Sequence, residues 1–221
     1  NDIILLVVEK NLAAVKKDLE TIGRGGGTMK IIENSLRILA STTKNPEVVE
    51  LKSIIKEQLL VLYTGSLETF LSDVIRTIGN TQPDFFKFRT ENENITFNQA
   101  MLQSGFTLGD AILEHIENKK YSFQDLKSTL DVYSNYLAIE LDVEEYKDQL
   151  ILMAAARHIV VHNSSLVDRK FLKQVRDTVY KDTYKLGKHI EVDDSLIEGS
   201  KSSIASLADQ IVSSIVNRED V

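Results

Sequence analysis

The sequence predicts an all-α protein. Three observations support this fold class. Apolar residues recur at helical spacing along most of the chain, no alternation of apolar and polar residues persists long enough for a sheet, and the only two prolines, Pro46 and Pro83, fall between the periodic segments. Hydrophobic residues make up 43% of the 221 residues, which excludes disorder as the main state. The most apolar runs, residues 3–8 and 150–156, are far shorter than the roughly 20 residues of a membrane span.

Charge and cysteine content limit the possible functions. Lys and Arg number 26 and Asp and Glu number 33, so the net charge is −7. Such an acidic chain is not expected to coat nucleic acid non-specifically, but this does not exclude a small site that acts on a phosphate. The lack of cysteine excludes disulfides, thiolate metal sites and a thiol nucleophile, and it suits a reducing compartment. Because residues 3–8 lack a preceding basic segment and a following cleavage site, we expect no signal peptide and a cytoplasmic location.

The first 45 residues are predicted to form an N-terminal helical extension, and residues 46–221 a second, helical domain. Apolar residues repeat at helical spacing over residues 3–22, and a second helix is predicted over residues 29–40. The glycine-rich residues 23–27 lie between these helices. No strand precedes them and no Gly-Lys-Ser/Thr motif follows, so we interpret them as a helix stop and a flexible connector.

A long helix is predicted to open the second domain. Asn45 is a helix-capping residue, and Pro46 suits the first helical position. Apolar residues then continue at helical spacing to Ile78, with a candidate bend at residues 64–66. Residues 79–103 are less regular and are predicted to form a connector with short turns.

Capping residues mark the starts of five further predicted helices. Ser, Thr and Asp side chains accept hydrogen bonds from the free N–H groups of a first helical turn. The predicted helices run from Thr107 to about Asn118, from Ser122 to about Tyr136 with Asp125 at the third helical position, from Asp142 to His162, from Asp168 to Val179, and from Asp193 or Asp194 to about Asn217. Residues 188–192 are predicted to form a short extended piece.

The helix that ends at His162 contains the most informative pattern. Residues 150–156 are all apolar, which predicts a segment that is buried on all sides. Arg157, His158 and His162 interrupt the apolar surface that follows. Because an arginine does not lose its charge, burying it requires a compensating partner, and a partly enclosed polar spot is expected here.

Helical geometry limits which of these side chains share a face. His158 and His162 are four residues apart and lie on one face of the helix. Arg157 lies about 100° around the helix from His158 and about 140° from His162. Within one chain, Arg157 and His162 can share a site only through long reach or distortion near the helix end. If two chains related by a two-fold axis form the site together, neither long reach nor helix distortion is required.

This stretch resembles the signature of the HEPN superfamily. Arg157 is followed by four residues and then His162, with the polar His158 directly after the arginine. The family signature is Arg, four to six residues and His, near the end of a helix in a small α-helical bundle. Residues 157–172 are also similar to the prokaryotic branch often called RiboL-PSP-HEPN. The resemblance covers about residues 46–218.

The resemblance implies a HEPN-type helical bundle and a metal-independent endoribonuclease that needs no cofactor. It implies that a homodimer builds the active site, as in many members of the superfamily. Such proteins recur in toxin–antitoxin, abortive-infection and other antiviral systems, so an antitoxin or sensor protein is a candidate partner. Residues 1–45 and 79–103 are not explained by the resemblance.

The same residues suit RNA cleavage on chemical grounds. RNA carries its own nucleophile, the 2′-hydroxyl, so neither a protein nucleophile nor a metal is required. An imidazole titrates near neutrality, which suits His162 as general base or acid. Arg157 is assigned to the negative charge that develops on the phosphate. His158 is assigned an orienting or substrate-contacting role, and Asn163 is expected to hold a neighbour or the phosphate. The expected product carries a 2′,3′-cyclic phosphate.

The densest basic stretch of the chain follows the motif. Arg169, Lys170 and Lys173 are the candidates for contacts with the RNA backbone. Tyr180 or Tyr184 would be available to stack on a base. Alternatively, these basic residues belong to an ordinary solvent-exposed helix face. The acidic residues interspersed among them slightly favour this interpretation.

Three alternatives to the catalytic interpretation remain open. Arg157 would have a structural role if it paired with a core carboxylate such as Glu68 or Asp73, with the histidines capping helix-end carbonyls. A metal ion on His158 and His162 would need a third ligand, and the His-Glu-x-x-His pattern is absent, so no metal site is predicted. The third alternative is a catalytically silent helical module that binds a partner or nucleotide in the same groove.

Overall fold

The computed structural model describes residues 37, 41, 44–86 and 104–219 of the chain. Within these ranges there are six α-helices and no named strand, which confirms the all-α fold class. The helices are α1 (Pro46–Thr81), α2 (Leu108–Asn118), α3 (Leu126–Leu137), α4 (Lys147–His162), α5 (Arg169–Val175) and α6 (Asp194–Glu219), with a short 3-10 helix at Pro83–Phe85. No helix in the described ranges has the length and apolar character needed to cross a bilayer.

Several predicted elements lie outside the described residues. These are the helix at residues 3–22, the glycine-rich residues 23–27, most of the helix at residues 29–40, and the connector beyond residue 86. The chain divides into two units, Asn1–Ile55 and Lys56–Val221. The tertiary packing described below belongs to the second unit.

Helix α1 begins where the sequence predicts and ends later. The backbone N–H of Glu47 donates to Asn45 Oδ1 at 2.9 Å, which confirms the predicted cap. The helix continues through the candidate bend at residues 64–66, where the Thr64 hydroxyl donates to the carbonyl of Leu60 at 2.8 Å. Its buried residues follow helical spacing and are Leu60, Thr64, Leu67, Leu71, Ile75, Ile78 and Gly79.

Helices α1 and α2 cross through two glycines. A Cβ atom added at Gly79 would lie 2.7 Å from Gly109 Cα, and one added at Gly109 would lie 2.0 Å from the carbonyl oxygen of Arg76. The Gly109 N–H donates to Asn80 Oδ1 at 2.7 Å, and Arg76 Nε donates to Asp110 Oδ1 at 2.7 Å. The two backbones approach this closely because both residues lack a side chain.

Thr107 caps α2 as predicted. Its hydroxyl oxygen accepts from the Asp110 N–H at 3.2 Å, and Asp110 Oδ2 accepts from the Thr107 N–H at 2.9 Å, which completes a capping box. The side-chain and backbone hydrogen bonds from Thr107, together with Arg76, lower the pKa of Asp110 to about 2. Because this folded-state pKa lies below the unfolded value, the carboxylate stabilises the fold above the usual Asp range, and that stabilisation is lost as the pH falls toward 2.

The predicted start of α3 is wrong by one helical turn. Asp125, and not Ser122, is the cap, and its Oδ1 accepts from the Ser128 N–H at 2.8 Å. The Ser122 hydroxyl instead accepts from the Gln124 N–H at 3.2 Å in the turn before the helix. Both side chains make local bonds of the same kind, but only the second lies at the helix end.

The predicted start of α4 is also wrong. Asp142 Oδ1 accepts from the Glu144 N–H at 3.3 Å, so this aspartate stabilises a turn instead of capping the helix. Tyr146 precedes the helix and makes no side-chain cap. The helix therefore begins at Lys147 and not at residue 143.

Helix α5 begins as predicted and ends early. Asp168 Oδ1 accepts from the Phe171 N–H at 2.7 Å, which confirms the cap. The Thr178 hydroxyl donates to the carbonyl of Val175 at 2.7 Å, and the chain turns there instead of continuing as a helix to Val179.

The segment before α6 forms one β-bridge and a cap. Leu166 and His189 form an isolated antiparallel bridge within the predicted extended residues 188–192. Asp193 Oδ1 then accepts from the Leu196 N–H at 2.8 Å, which confirms one of the two predicted starts of α6.

Helix α4 lies at the centre of the core and packs against α3, α5 and α6. Its buried residues are Leu150, Leu152, Met153, Ala155, Ala156 and Ile159. The largest buried side chain of α3, Tyr133, donates its hydroxyl to the carbonyl of Leu71 at 3.1 Å, so its polar end is satisfied inside the core. The end of α4 that carries the motif is thus held by a packed core.

Replacing Gly109 by alanine is expected to lower the free energy of unfolding by about 2 kcal/mol or more, because the new methyl group would overlap the α1 backbone. Gly65→Ala is the matched control. Nothing lies within 4 Å of a Cβ added there, and alanine inside a helix is expected to stabilise by about 0.5–1 kcal/mol. Urea unfolding followed by circular dichroism measures both. Equal stability of Gly109→Ala and the parent would contradict the close crossing.

Candidate active site

Arg157, His158 and His162 lie on the last two turns of α4, and Asn163 directly follows the helix. The helix continues without a break to His162, so the motif keeps its helical spacing. The rings of His158 and His162 lie side by side, with centroids 5.0 Å apart and planes inclined by 53°. His162 is exposed and His158 is partly exposed. The structure therefore brings the two histidines together on an accessible face, which we call the histidine pair.

Arg157 lies beside this face and not on it. It is about 100° around the helix from His158 and about 140° from His162. Its side chain is partly buried, and its Nε atom is buried without a hydrogen-bond partner among the described residues. Within those residues, no hydrogen bond joins Arg157 to either histidine.

The two carboxylates that a structural role would require make other contacts, and Glu68 Oε1 is buried without a hydrogen-bond partner among the described residues. Glu68 Oε2 accepts from Gln124 Nε2 at 3.3 Å, and Asp73 forms an ion pair with Arg76. In the part of the chain that the structure describes, neither carboxylate forms an ion pair with Arg157. A partly buried guanidinium without a compensating charge is costly, and its cost is offset when an anionic ligand binds.

Lys170 of α5 joins the histidine pair. Its Nζ lies 3.4 Å from His158 Nε2. Partial burial lowers the pKa of His158, and the positive charge of Lys170 and the neighbouring His162 lower this pKa further. The lowered pKa favours the uncharged His158 ring at neutral pH, and Nε2 of an uncharged ring that carries its proton on Nδ1 can accept a hydrogen bond from the ammonium group. His158, which the sequence suggested only as a supporting residue, is thus directly coupled to a cation.

The chain turns sharply after α4. Ser164 and Ser165 have φ values of 50° and 60°, in the left-handed region that residues other than glycine rarely adopt. Asn163 Nδ2 donates to the carbonyl of Leu166 at 2.6 Å, and the Ser165 hydroxyl donates to Glu57 Oε1 at 2.9 Å. The Asn163 side chain thus holds this turn, and a strained backbone fixed in this way is typical of functional sites.

The basic side chains of α5 are accessible. Arg169, Lys170 and Lys173, the candidates for RNA contact, are all exposed. Lys170 and Lys173 are three residues apart and share one face of α5. Since Lys170 lies against His158, this face borders the histidine pair.

Tyr180 and Tyr184 both pack against the core. The Tyr180 hydroxyl donates to Gln149 Oε1 at 2.7 Å. The Tyr184 ring packs edge-on against Phe171, with centroids 5.1 Å apart. Both side chains are partly buried, so the stacking role suggested by the sequence is not supported.

The histidine pair does not resemble a metal centre. Among the residues that the structure describes, no three His, Asp or Glu side chains come together as ligands of a metal ion would. The Lys170 ammonium group at 3.4 Å from His158 also disfavours a second cation at this position, because like charges repel.

A groove beside α4 could not be foreseen from the sequence. It has a volume of about 340 Å³, and Ile151 and Ala154 form part of its wall. Both residues are partly exposed, so the prediction that residues 150–156 are buried on all sides is wrong. At about 100° per residue, Lys147, Ile151, Ala154 and His158 form one stripe along α4. The groove therefore runs along the helix toward the histidine pair.

The replacement Lys170→Gln is expected to raise the pKa of His158, because it removes a positive charge beside the imidazolium. The pKa should stay below the ordinary histidine value, since burial is the larger cause of the shift. Lys173→Gln removes the same charge from the same helix and is expected to leave this pKa nearly unchanged. NMR titration of the histidine ring protons measures both. An unchanged His158 titration in Lys170→Gln would show that the ammonium does not face the ring.

Comparison of the chain with protein families, with curated proteins and with solved structures found no match. The resemblance to the HEPN superfamily therefore depends on the motif from Arg157 to His162 and on its position at the end of a helix in an all-α chain.

Proposed function

We propose that the protein is a metal-independent endoribonuclease whose active site is completed by a second copy of the chain. The observation that carries this proposal is that the last two turns of α4 carry two accessible histidines and, beside them, an arginine that forms no ion pair among the described residues. Arginine provides a planar, permanent cation for a phosphate, and imidazole is the side chain best suited to proton transfer near neutral pH.

The chemistry requires only groups that these residues supply. The RNA 2′-oxygen attacks the adjacent phosphorus, and the bond from phosphorus to the 5′-oxygen breaks. One imidazole takes the proton of the 2′-hydroxyl and another donates a proton to the leaving 5′-oxygen, with His162 assigned to this exchange. Arg157 stabilises the extra negative charge on the phosphate oxygens. The products carry a 2′,3′-cyclic phosphate and a 5′-hydroxyl.

The geometry of α4 favours a site made by two chains. Within one chain, Arg157 and His162 point about 140° apart around the helix. Val161 lies about 40° from Arg157 and about 60° from His158, which places it between them around the axis. Its side chain is 47% exposed. A two-fold contact through Val161 would bring Arg157 of one copy toward His162 of the other.

The local charge suits RNA although the net charge does not. Arg169, Lys170 and Lys173 are exposed on α5, and Lys170 lies against the histidine pair. These side chains can guide the RNA backbone to the site, while the net charge of −7 opposes binding elsewhere on the surface.

The biological role that we propose follows from the motif. Proteins with the HEPN signature act in toxin–antitoxin and antiviral systems, and a HEPN-type bundle is consistent with the all-α fold. On this basis the protein is a cytoplasmic toxin or antiviral-defence effector, and an antitoxin or sensor protein controls it. The motif supports this assignment, and the lack of any matching relative leaves the motif as its main basis.

The purified protein is expected to cleave total RNA in the presence of EDTA, and the Arg157→Ala/His162→Ala variant is expected to be inactive. Arg157→Lys should lose about a hundredfold or more in cleavage rate, because lysine keeps the charge but lacks the planar pair of donors. Arg176→Lys is the matched control, since Arg176 is exposed and pairs with Asp177. Cleavage rates and end-group analysis of the products provide the measurements.

Two results would contradict this mechanism. Loss of cleavage in EDTA that a divalent metal restores would show that a metal takes part, and a 3′-hydroxyl at the cut would show that water is the nucleophile. If Arg157→Lys had a lower melting temperature but full activity, the role of Arg157 would be structural and not catalytic. Absence of cleavage by the parent would favour the catalytically silent binding module.

The replacement Val161→Glu is expected to weaken dimerisation about a hundredfold or more, because burying an unpaired carboxylate in an interface costs several kcal/mol. RNA cleavage should fall with it. Leu186→Glu is the matched control, because Leu186 is 54% exposed in the loop after α5. Sedimentation velocity at micromolar concentration measures the oligomeric state. A parent protein that is monomeric and still cleaves RNA would contradict the shared site.

A further inference from the structure

We infer that the groove along α4 holds the base of a nucleotide adjacent to the cleaved phosphate, an inference that depends on the proposed ribonuclease function. We call this feature the base groove. Its wall consists of the first turns of α3, the α4 stripe that leads to His158, the turn before α4, and the last turn of α5. The occupant follows from the apolar lining, the charges, the amides and the position of the groove.

The interior of the base groove is apolar. Leu126 and Leu130 of α3, Ile151 and Ala154 of α4, and Val143 in the turn before α4 all line it. The small Ala154 side chain leaves space between the larger residues. A volume of about 340 Å³ is at the lower end of the roughly 300–1,000 Å³ of small-molecule pockets. A flat heterocyclic base suits a hollow of this size and character.

The rim of the base groove carries balanced charge. Lys127 and Lys147 line it together with Asp125 and Glu144. Lys147 Nζ forms an ion pair with Glu144 Oε2 at 2.5 Å, and Asp125 accepts the capping bond of α3. Two positive and two negative groups give no net attraction for an anion. The base groove therefore suits an uncharged group, whereas the phosphate belongs at the basic end beside Lys170.

Two glutamines carry amide groups at the groove, of which Gln124 also donates from Nε2 to Glu68 Oε2 at 3.3 Å. Gln124 and Gln174 both line the groove and are exposed. A carboxamide donates and accepts at once, which matches the edge of a nucleobase. Apolar contact with the ring faces, combined with amide contact at the base edge, is a common way in which proteins recognise unpaired RNA bases.

On both α4 and α5, a residue that lines the base groove is one helical turn from the contact between His158 and Lys170. On α4, Ala154 is four residues before His158, and on α5, Gln174 is four residues after Lys170. Four residues correspond to about 6 Å along a helix. His158 and Lys170 are themselves in contact at 3.4 Å. Both helices therefore place the base groove one turn from the contact between His158 and Lys170, and His162 lies one turn further along α4, as neighbouring parts of one nucleotide require.

The binding test uses the four ribonucleosides, which lack the phosphate that the basic end would attract. At millimolar concentration, at least one nucleoside is expected to shift the amide NMR signals of Ile151, Ala154 and Gln174 in the full-length protein. Ala154→Leu places a larger side chain in the hollow and is expected to abolish these shifts. Sedimentation of this variant checks that the groove is not an interface between copies.

The specificity test maps the nucleotides that flank the cuts in total RNA. Gln174→Ala is expected to reduce the preference of the parent for its favoured flanking base by about five- to tenfold, which corresponds to one lost hydrogen bond. Gln58→Ala is the matched control, because Gln58 is an exposed helical glutamine and is not among the residues that line the groove. This test remains informative if Ala154→Leu does not fold.

The outcomes separate this inference from the proposed function. RNA cleavage without nucleoside shifts, with the same flanking preference in Gln174→Ala, would overturn the base groove and leave the ribonuclease standing. Nucleoside shifts at the groove without any RNA cleavage would overturn the ribonuclease. Loss of dimerisation in Ala154→Leu would show that the groove receives a second copy of the chain, and this would overturn the inference.

Discussion

The permanent charge of Arg157 is the constraint on which the rest of the site depends. The side chain of Arg157 is partly buried, and its Nε atom is buried without a hydrogen-bond partner among the described residues, which costs free energy. Among the described residues no carboxylate pairs with Arg157, and the two candidates that the sequence suggested, Glu68 and Asp73, bond to other side chains. The packing of α4 holds this donor in place although an unsatisfied buried donor lowers stability. In the proposed ribonuclease, the RNA phosphate would supply the missing acceptor.

The surroundings of α4 orient the other parts of the site. Asp148 Oδ2 accepts from the Val179 N–H at 2.8 Å, and Gln149 accepts from Tyr180, so the segment after α5 is tied to the start of α4. These bonds fix the C-terminal side of α5. With the Asp168 cap at its other end, α5 is held so that Lys170 reaches His158. The basic charge at the site is thus set by the fold and not by the net charge of the chain.

Local features of the fold could be predicted from the sequence, and long-range ones could not. Thr107 and Asp168 cap helices because the bonds involve residues only three apart. Asp142 misled the prediction because aspartate stabilises a turn with the same local bonds. The histidine pair follows from helical spacing alone. The contact of Lys170 with His158, and the groove beside Ala154, depend on how separate helices pack, which spacing along one helix does not encode.

In the proposed dimer, the division of the site between two chains has a consequence for its control. Arg157 and His162 point away from each other in one chain, so neither copy alone brings the cation and the proton carrier to one phosphate. The exposed Val161 lies between them around the helix. A protein that covered Val161 would separate Arg157 from His162 of the second copy without touching either residue. An antitoxin or sensor would therefore need only an apolar contact at this position to hold the enzyme inactive.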